Sequence, residues 1–120
     1  MIISREEWLD KSSSEAVVII SVEELCVAAF CQPYTYKVGD KLDEPLHLLN
    51  AKGFQKVEAS PLKIKRHDQG LAHDFCAVLE NHQEKIFSVN GMLFEIDEDI
   101  PSDLKNGDLV EFSCSRVDLW

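Results

Sequence analysis

Base is scarce in this chain, and so is any apolar run long enough to matter to a membrane. Its 120 residues carry 12 Lys and Arg against 22 Asp and Glu, a formal net charge of −10. A domain whose main task is to grip phosphate backbones is usually basic, so the balance weighs against a general nucleic-acid binder. The most apolar stretch, Ala16 to Cys31, is broken by Glu23 and Glu24, too short and too charged to span a bilayer. The opening residues, Met1 to Trp8, place acid where a secretory leader carries base. These features set the expectation of a cytoplasmic protein with no membrane partner and reduced cysteines.

Catalytic and cofactor signatures are also lacking. There is no Gly-x-Ser-x-Gly, Walker loop, Gly-x-Gly-x-x-Gly or His-Glu-x-x-His. The four cysteines, Cys26, Cys31, Cys76 and Cys114, form no Cys-x-x-Cys pair. The one His-x-x-Cys, His73 with Cys76, has an odd separation that sends the side chains to opposite faces of a strand. Glu95-Ile-Asp-Glu-Asp lacks the spaced oxygens and central glycine of a calcium loop. No metal, cofactor or catalytic residue is therefore expected, and buried inert thiols are the expected state of the cysteines.

What is present is a single domain of ordinary composition, 45% hydrophobic and 28% charged, with nine Gly and Pro scattered along it and no repeat. The expected class is mainly β: a small antiparallel barrel with a short N-terminal helix and one helical turn before the last strand. The helix is expected over the first twelve residues, where Ser4 and Glu7 have capping-box spacing and Ile3 with Trp8 suits a hydrophobic staple. Val17 to Ile20 is β-branched, so extended structure is preferred for Ala16 to Cys31. Short strands are expected at Phe54–Glu58 and Leu62–His67, the second with Lys63, Lys65 and His67 on one face. Four more are expected at 72–80, 85–89, 92–97 and 109–119.

Asn90-Gly91 is the strongest local mark, because both residues tolerate positive φ. A two-residue loop there pairs Val89 with Met92 and Phe87 with Phe94, aromatics inward, and sets Glu84 against Asp97, where the ladder should end. In the closing strand Val110, Phe112 and Cys114 share a face, while Val117 and Leu119 have the opposite parity. A bulge near Ser115-Arg116 restores the phase. The pattern Ile-Pro-x-Asp-Leu-x-x-Gly-Asp-x-Val-x-Phe, from Ile100 to Phe112, resembles the connection into the closing strand of OB-like and related small barrels. That resemblance spans about a tenth of the chain and implies a fold only.

Charge is unevenly placed along the chain. Lys52, Lys56, Lys63, Lys65 and Arg66 are opposed only by Glu58. Glu95, Asp97, Glu98, Asp99, Asp103, Asp108 and Glu111 are opposed only by Lys105. Three functions follow as expectations. The first is a non-catalytic acidic protein that binds a basic protein partner, as an inhibitor, immunity protein or accessory subunit does, through Glu95, Asp97, Glu98, Asp99 and Asp103. The second is an OB-like module that binds nucleic acid through Lys52, Lys56, Lys63, Lys65 and Arg66, with Phe54, Tyr34 and Tyr36 as stacking surfaces. The third is a small ligand-binding barrel or enzyme using Cys31, His73 and Tyr34. Tyr34 and Tyr36 also have the spacing to pack together or to line the mouth of a barrel.

Overall fold

A computed structural model describes residues 1–120. Every regular element in it is a strand: β1 (Ile2–Asp10), β2 (Glu15–Val22), β3 (Leu25–Cys31), β4 (Leu46–Leu49), β5 (Lys52–Val57), β6 (Lys63–Arg66), β7 (His73–Asn81), β8 (Ile86–Val89), β9 (Met92–Ile96), β10 (Leu109–Cys114) and β11 (Arg116–Asp118). No helix is long and apolar enough to cross a membrane.

The Asn90-Gly91 hairpin has the register that its turn dictates: Val89 faces Met92, Phe87 faces Phe94 and Ile86 faces Glu95. Asn90 and Gly91 take φ of 49° and 87°. Phe87 and Phe94 are fully buried. The ladder ends at Ile86–Glu95, two pairs short of the Glu84–Asp97 repulsion. Period-two burial runs through β8, β9 and β10, as half-buried strands require. The closing strand breaks at Ser115, and Cys114, Val117 and Leu119 are all buried on its two sides.

That break does more than correct a phase. Before it, β10 lies between β7 and β5; after it, β11 lies between β4 and β3. The partner chain breaks in step, since β4 and β5 are separated only by Asn50 and Ala51, and the Ser115 N–H donates to the Leu49 carbonyl at 2.9 Å. One long ribbon, 46–57 against 109–118, is thereby bent at its middle. The bend carries half-buried Phe54 of β5 to 6.1 Å from Phe87 and 5.2 Å from Phe112, against the aromatic core that includes Phe75 and Phe94.

Three expectations are corrected. The N-terminal helix is strand β1. Its Ser4 hydroxyl donates to the Ile19 carbonyl instead of capping a helix, and Ile3 enters the core. The physical reason lies in β2, where Ala16 to Ile20 are buried, so that the backbone N–H and C=O groups along both edges of the strand are removed from water and need partners. Pairing with β1 supplies one of them and overrides local capping. The OB-like barrel is instead a single sheet of order β1-β2-β3-β11-β4-β9-β8-β7-β10-β5, with β6 beside β7. The β1–β3 meander extends the sheet past β11, so β1 and β5 are separate ends that no ladder joins. It is also a mixed sheet, because β11 runs parallel to β3 and β4 parallel to β9. Finally, the helical turn before the last strand is a pair of tight turns, Leu104 N–H to Pro101 and Asp108 N–H to Lys105. Pro101 and Gly107 suit such turns, and Leu104 is buried beneath them.

The preferred extended reading of Ala16 to Cys31 holds, as two strands reversed at Glu23-Glu24. Beyond the register of β11, the β3 edge is met by a side chain rather than a strand: the Ala28 N–H donates to His73 Nε2 at 3.1 Å.

Candidate functional site

The acidic run divides into carboxylates used by the fold and carboxylates left in water. Glu95 lies opposite His47 in the β4–β9 ladder, its Oε1 3.3 Å from His47 Nδ1. Glu98 accepts the Ala51 N–H at 3.0 Å, pinning the loop after β9 to the bend between β4 and β5. Asp108 accepts the Lys105 N–H at 2.8 Å and faces Lys56 at 3.6 Å. Asp97, Asp99 and Asp103 are exposed on the same loop. Lys85 reaches that loop, donating to the Asp97 carbonyl at 2.9 Å and to Asp99 Oδ1 at 3.3 Å.

The basic run is placed beside acids. Cross-strand partners share a face, so Lys65, Asp74, Ser113 and Lys52 form one row, and Lys63, Cys76, Glu111 and Gln55 form the next. Asp74 is further engaged by Ser113 at 2.7 Å and His67 at 2.9 Å, and these contacts hold its carboxyl below the usual range. Arg66 is spent on structure, donating to the Gly70 and Gln69 carbonyls while lying 3.8 Å from Glu7. The two charge runs of the sequence thus meet at Lys56–Asp108 and across β10.

Cys31, His73 and Tyr34 do not assemble. Both His73 nitrogens are taken by backbone: Nε2 accepts from Ala28 and Nδ1 donates to the Leu71 carbonyl at 2.9 Å. The Cys31 thiol donates to the Pro33 carbonyl, and burial, then Asp118, pushes its pKa up. The Tyr34 hydroxyl donates to Glu6 at 2.6 Å; burial and that bond raise its pKa. Nowhere do three His, Cys, Asp or Glu side chains converge closely enough to share an ion.

A cleft that has no linear signature lies at the end of β4. It encloses about 420 Å³ between the segment 36–45, His47 of β4 and the residues Leu119 and Trp120. Trp120 stacks on His47 with ring centroids 3.5 Å apart, and the Tyr36 hydroxyl donates to the Trp120 main-chain oxygen at 2.9 Å. Leu42, Pro45 and Leu119 complete the apolar wall, while Lys41, Asp43 and Glu44 form the charged rim. Trp120 is 72% exposed, the most exposed large apolar side chain in the chain. On its other flank a smaller cleft holds Arg116, which lies 4.7 Å over the Phe30 ring and donates twice to Asp118, at 2.7 and 3.0 Å. Of these residues only Tyr36 carried a signal in the sequence, through its spacing from Tyr34. Tyr34 itself is buried against Trp8.

Family models, curated proteins and solved structures were all compared with the chain, and none matches it.

Proposed function

We propose that this chain is a non-catalytic interaction module that binds a basic protein partner. The observation that carries the reading is the loop after β9, which leaves the Asp97, Asp99 and Asp103 carboxylates in solvent on a chain of net charge −10. Lys85 and Lys105 are the cations of that region, so the loop presents net negative potential. An acidic surface of this kind accelerates encounter with a cationic protein and repels acidic ones. Glu95 and Glu98 support the loop from beneath through His47 and Ala51.

Zero-length carbodiimide coupling in extract of the native host tests the proposal, because it joins a carboxylate directly to a partner lysine. The expected product is a cross-link from Asp97, Asp99 or Asp103 to a protein of high isoelectric point, lost when all three are changed to Asn. Cross-links that avoid this loop, or that join proteins no more basic than the extract as a whole, overturn it.

A second reading is favoured by one placement: Lys52, Lys63 and Lys65 stand on the same outer face, where single-stranded nucleic acid could lie. Asp74 and Glu111 interleave with them, which weakens the potential a polyanion would meet. Absence of salt-sensitive binding to a single-stranded oligonucleotide at low ionic strength eliminates this reading.

A further inference from the structure

We infer that the Trp120 cleft is a receptor for an arginine side chain of the partner. The inference rests on the partner being cationic, and adds where one of its cations seats. Three features of the cleft converge on a guanidinium. Its walls are aromatic, formed by Trp120 and the His47 ring stacked on it, with Tyr36 holding the Trp120 main chain. A planar cation stacks on such a face, and water is already excluded from one side of the ring by the stack. Its rim carries Asp43 and Glu44, both exposed and neither within ion-pair distance of a cation, so their charge is available to a ligand. Two adjacent carboxylates suit the forked donors of arginine better than the point charge of lysine.

The molecule already contains the same recognition in intramolecular form. On the other flank of Trp120, Arg116 lies over the Phe30 ring and donates from Nε and Nη2 to the two oxygens of Asp118. Ring, guanidinium and carboxylate are thus satisfied together in a cleft that Trp120 also lines, and the larger cleft offers the same two partners, an aromatic face and carboxylates. The volume of about 420 Å³ is within the range of small-ligand sites and ample for one arginine side chain. Lys41 lies on the rim and opposes the cation, so its removal should strengthen binding.

The test uses an acetylated, amidated tetra-arginine peptide as probe, with the Trp8→Phe protein so that Trp120 is the sole indole reporter. Binding at low ionic strength should change Trp120 fluorescence, and calorimetry gives the affinity. Trp120→Ala, and separately Asp43→Asn with Glu44→Gln, should each weaken binding about tenfold or more, while Lys41→Gln tightens it. The double carboxylate variant alters only exposed side chains, and its melting temperature reports that it remains folded. If the Asp97, Asp99 and Asp103 triple Asn variant abolishes binding while the cleft variants leave it intact, the cleft inference falls and the loop reading stands. If the cleft variants abolish binding and the loop variant leaves it intact, the cleft stands and the loop reading falls. A wild-type protein that binds no tetra-arginine at low ionic strength overturns both.

Discussion

His73 offers a direct measurement of how the sheet is held together. Its ring is fully buried, and its two partners fix its protonation state: a backbone N–H can only donate to Nε2, and a carbonyl can only accept from Nδ1. The neutral Nδ1–H tautomer is therefore the one that fits. A second proton on Nε2 would face the Ala28 N–H, donor against donor, in the only contact that satisfies that part of the β3 edge. Burial is the main reason that the His73 pKa falls from 6.5 to about 4. Arg66 and His67 push the same way, and the Leu71 carbonyl and Asp74 push back.

The unfolded chain takes up its proton as pH falls through about 6.5, whereas the folded chain resists until about 4. Between those values the unfolded state holds more protons, so stability falls as pH falls. The full effect is about 3 kcal/mol, of which about 2 kcal/mol is lost between pH 7 and pH 4.5. His73→Gln isolates it, because the glutamine amide can accept from Ala28 and donate to Leu71 without titrating. Urea unfolding of both proteins across this range, followed by circular dichroism, cancels the carboxylate titrations that they share. The wild-type advantage should shrink by about 2 kcal/mol toward pH 4.5. A difference that stays constant with pH would falsify the buried neutral imidazole.

Three other measurements probe the frame. Cys26 is the one exposed thiol, so a thiol reagent should titrate one cysteine in the native protein and three more after unfolding; burial holds Cys114 up to about 12. Tyr34→Phe removes the bond to Glu6 and should cost about 1–2 kcal/mol in chemical denaturation, a cost that disappears in a Glu6→Ala background. Phe112→Ala opens the centre of the aromatic core and should cost about 3–5 kcal/mol; a loss below about 1 kcal/mol would mean that the bent ribbon is not packed as described.

The fold was legible wherever local chemistry and tertiary pairing agree. Asn90-Gly91 fixes a hairpin register by turn geometry alone, and the parity conflict between Cys114 and Val117 marks a real break in the closing strand. It was illegible where they conflict. Ser4 and Glu7 are good capping residues, yet the two-faced apolar run Ala16 to Ile20 outweighs them by needing a partner strand. No local pattern records that competition, because the decisive residues lie nine or more positions away. The bend at Ser115 could be read as a bulge, but not as an exchange of both neighbours, since that depends on a matching break at Asn50-Ala51.

Charge follows the same division. Counted along the chain, acid concentrates after Glu95, but in the fold Glu95, Glu98 and Asp108 serve His47, Ala51 and Lys56. Asp43 and Glu44 belong to no charge run in the sequence, yet they rim an aromatic cleft and neither forms an ion pair. A carboxylate already bonded to a backbone N–H has little left to offer a partner, while one left in water beside an exposed indole can form charge-assisted hydrogen bonds to an arriving guanidinium that offset its desolvation. The surface suited to a basic partner is therefore set less by how many acids a segment contains than by which of them the fold leaves unengaged. On that criterion Asp97 and Asp103 form one such group, beside an Asp99 that is shared with Lys85, and Asp43 with Glu44 form another; the tetra-arginine titration separates their contributions.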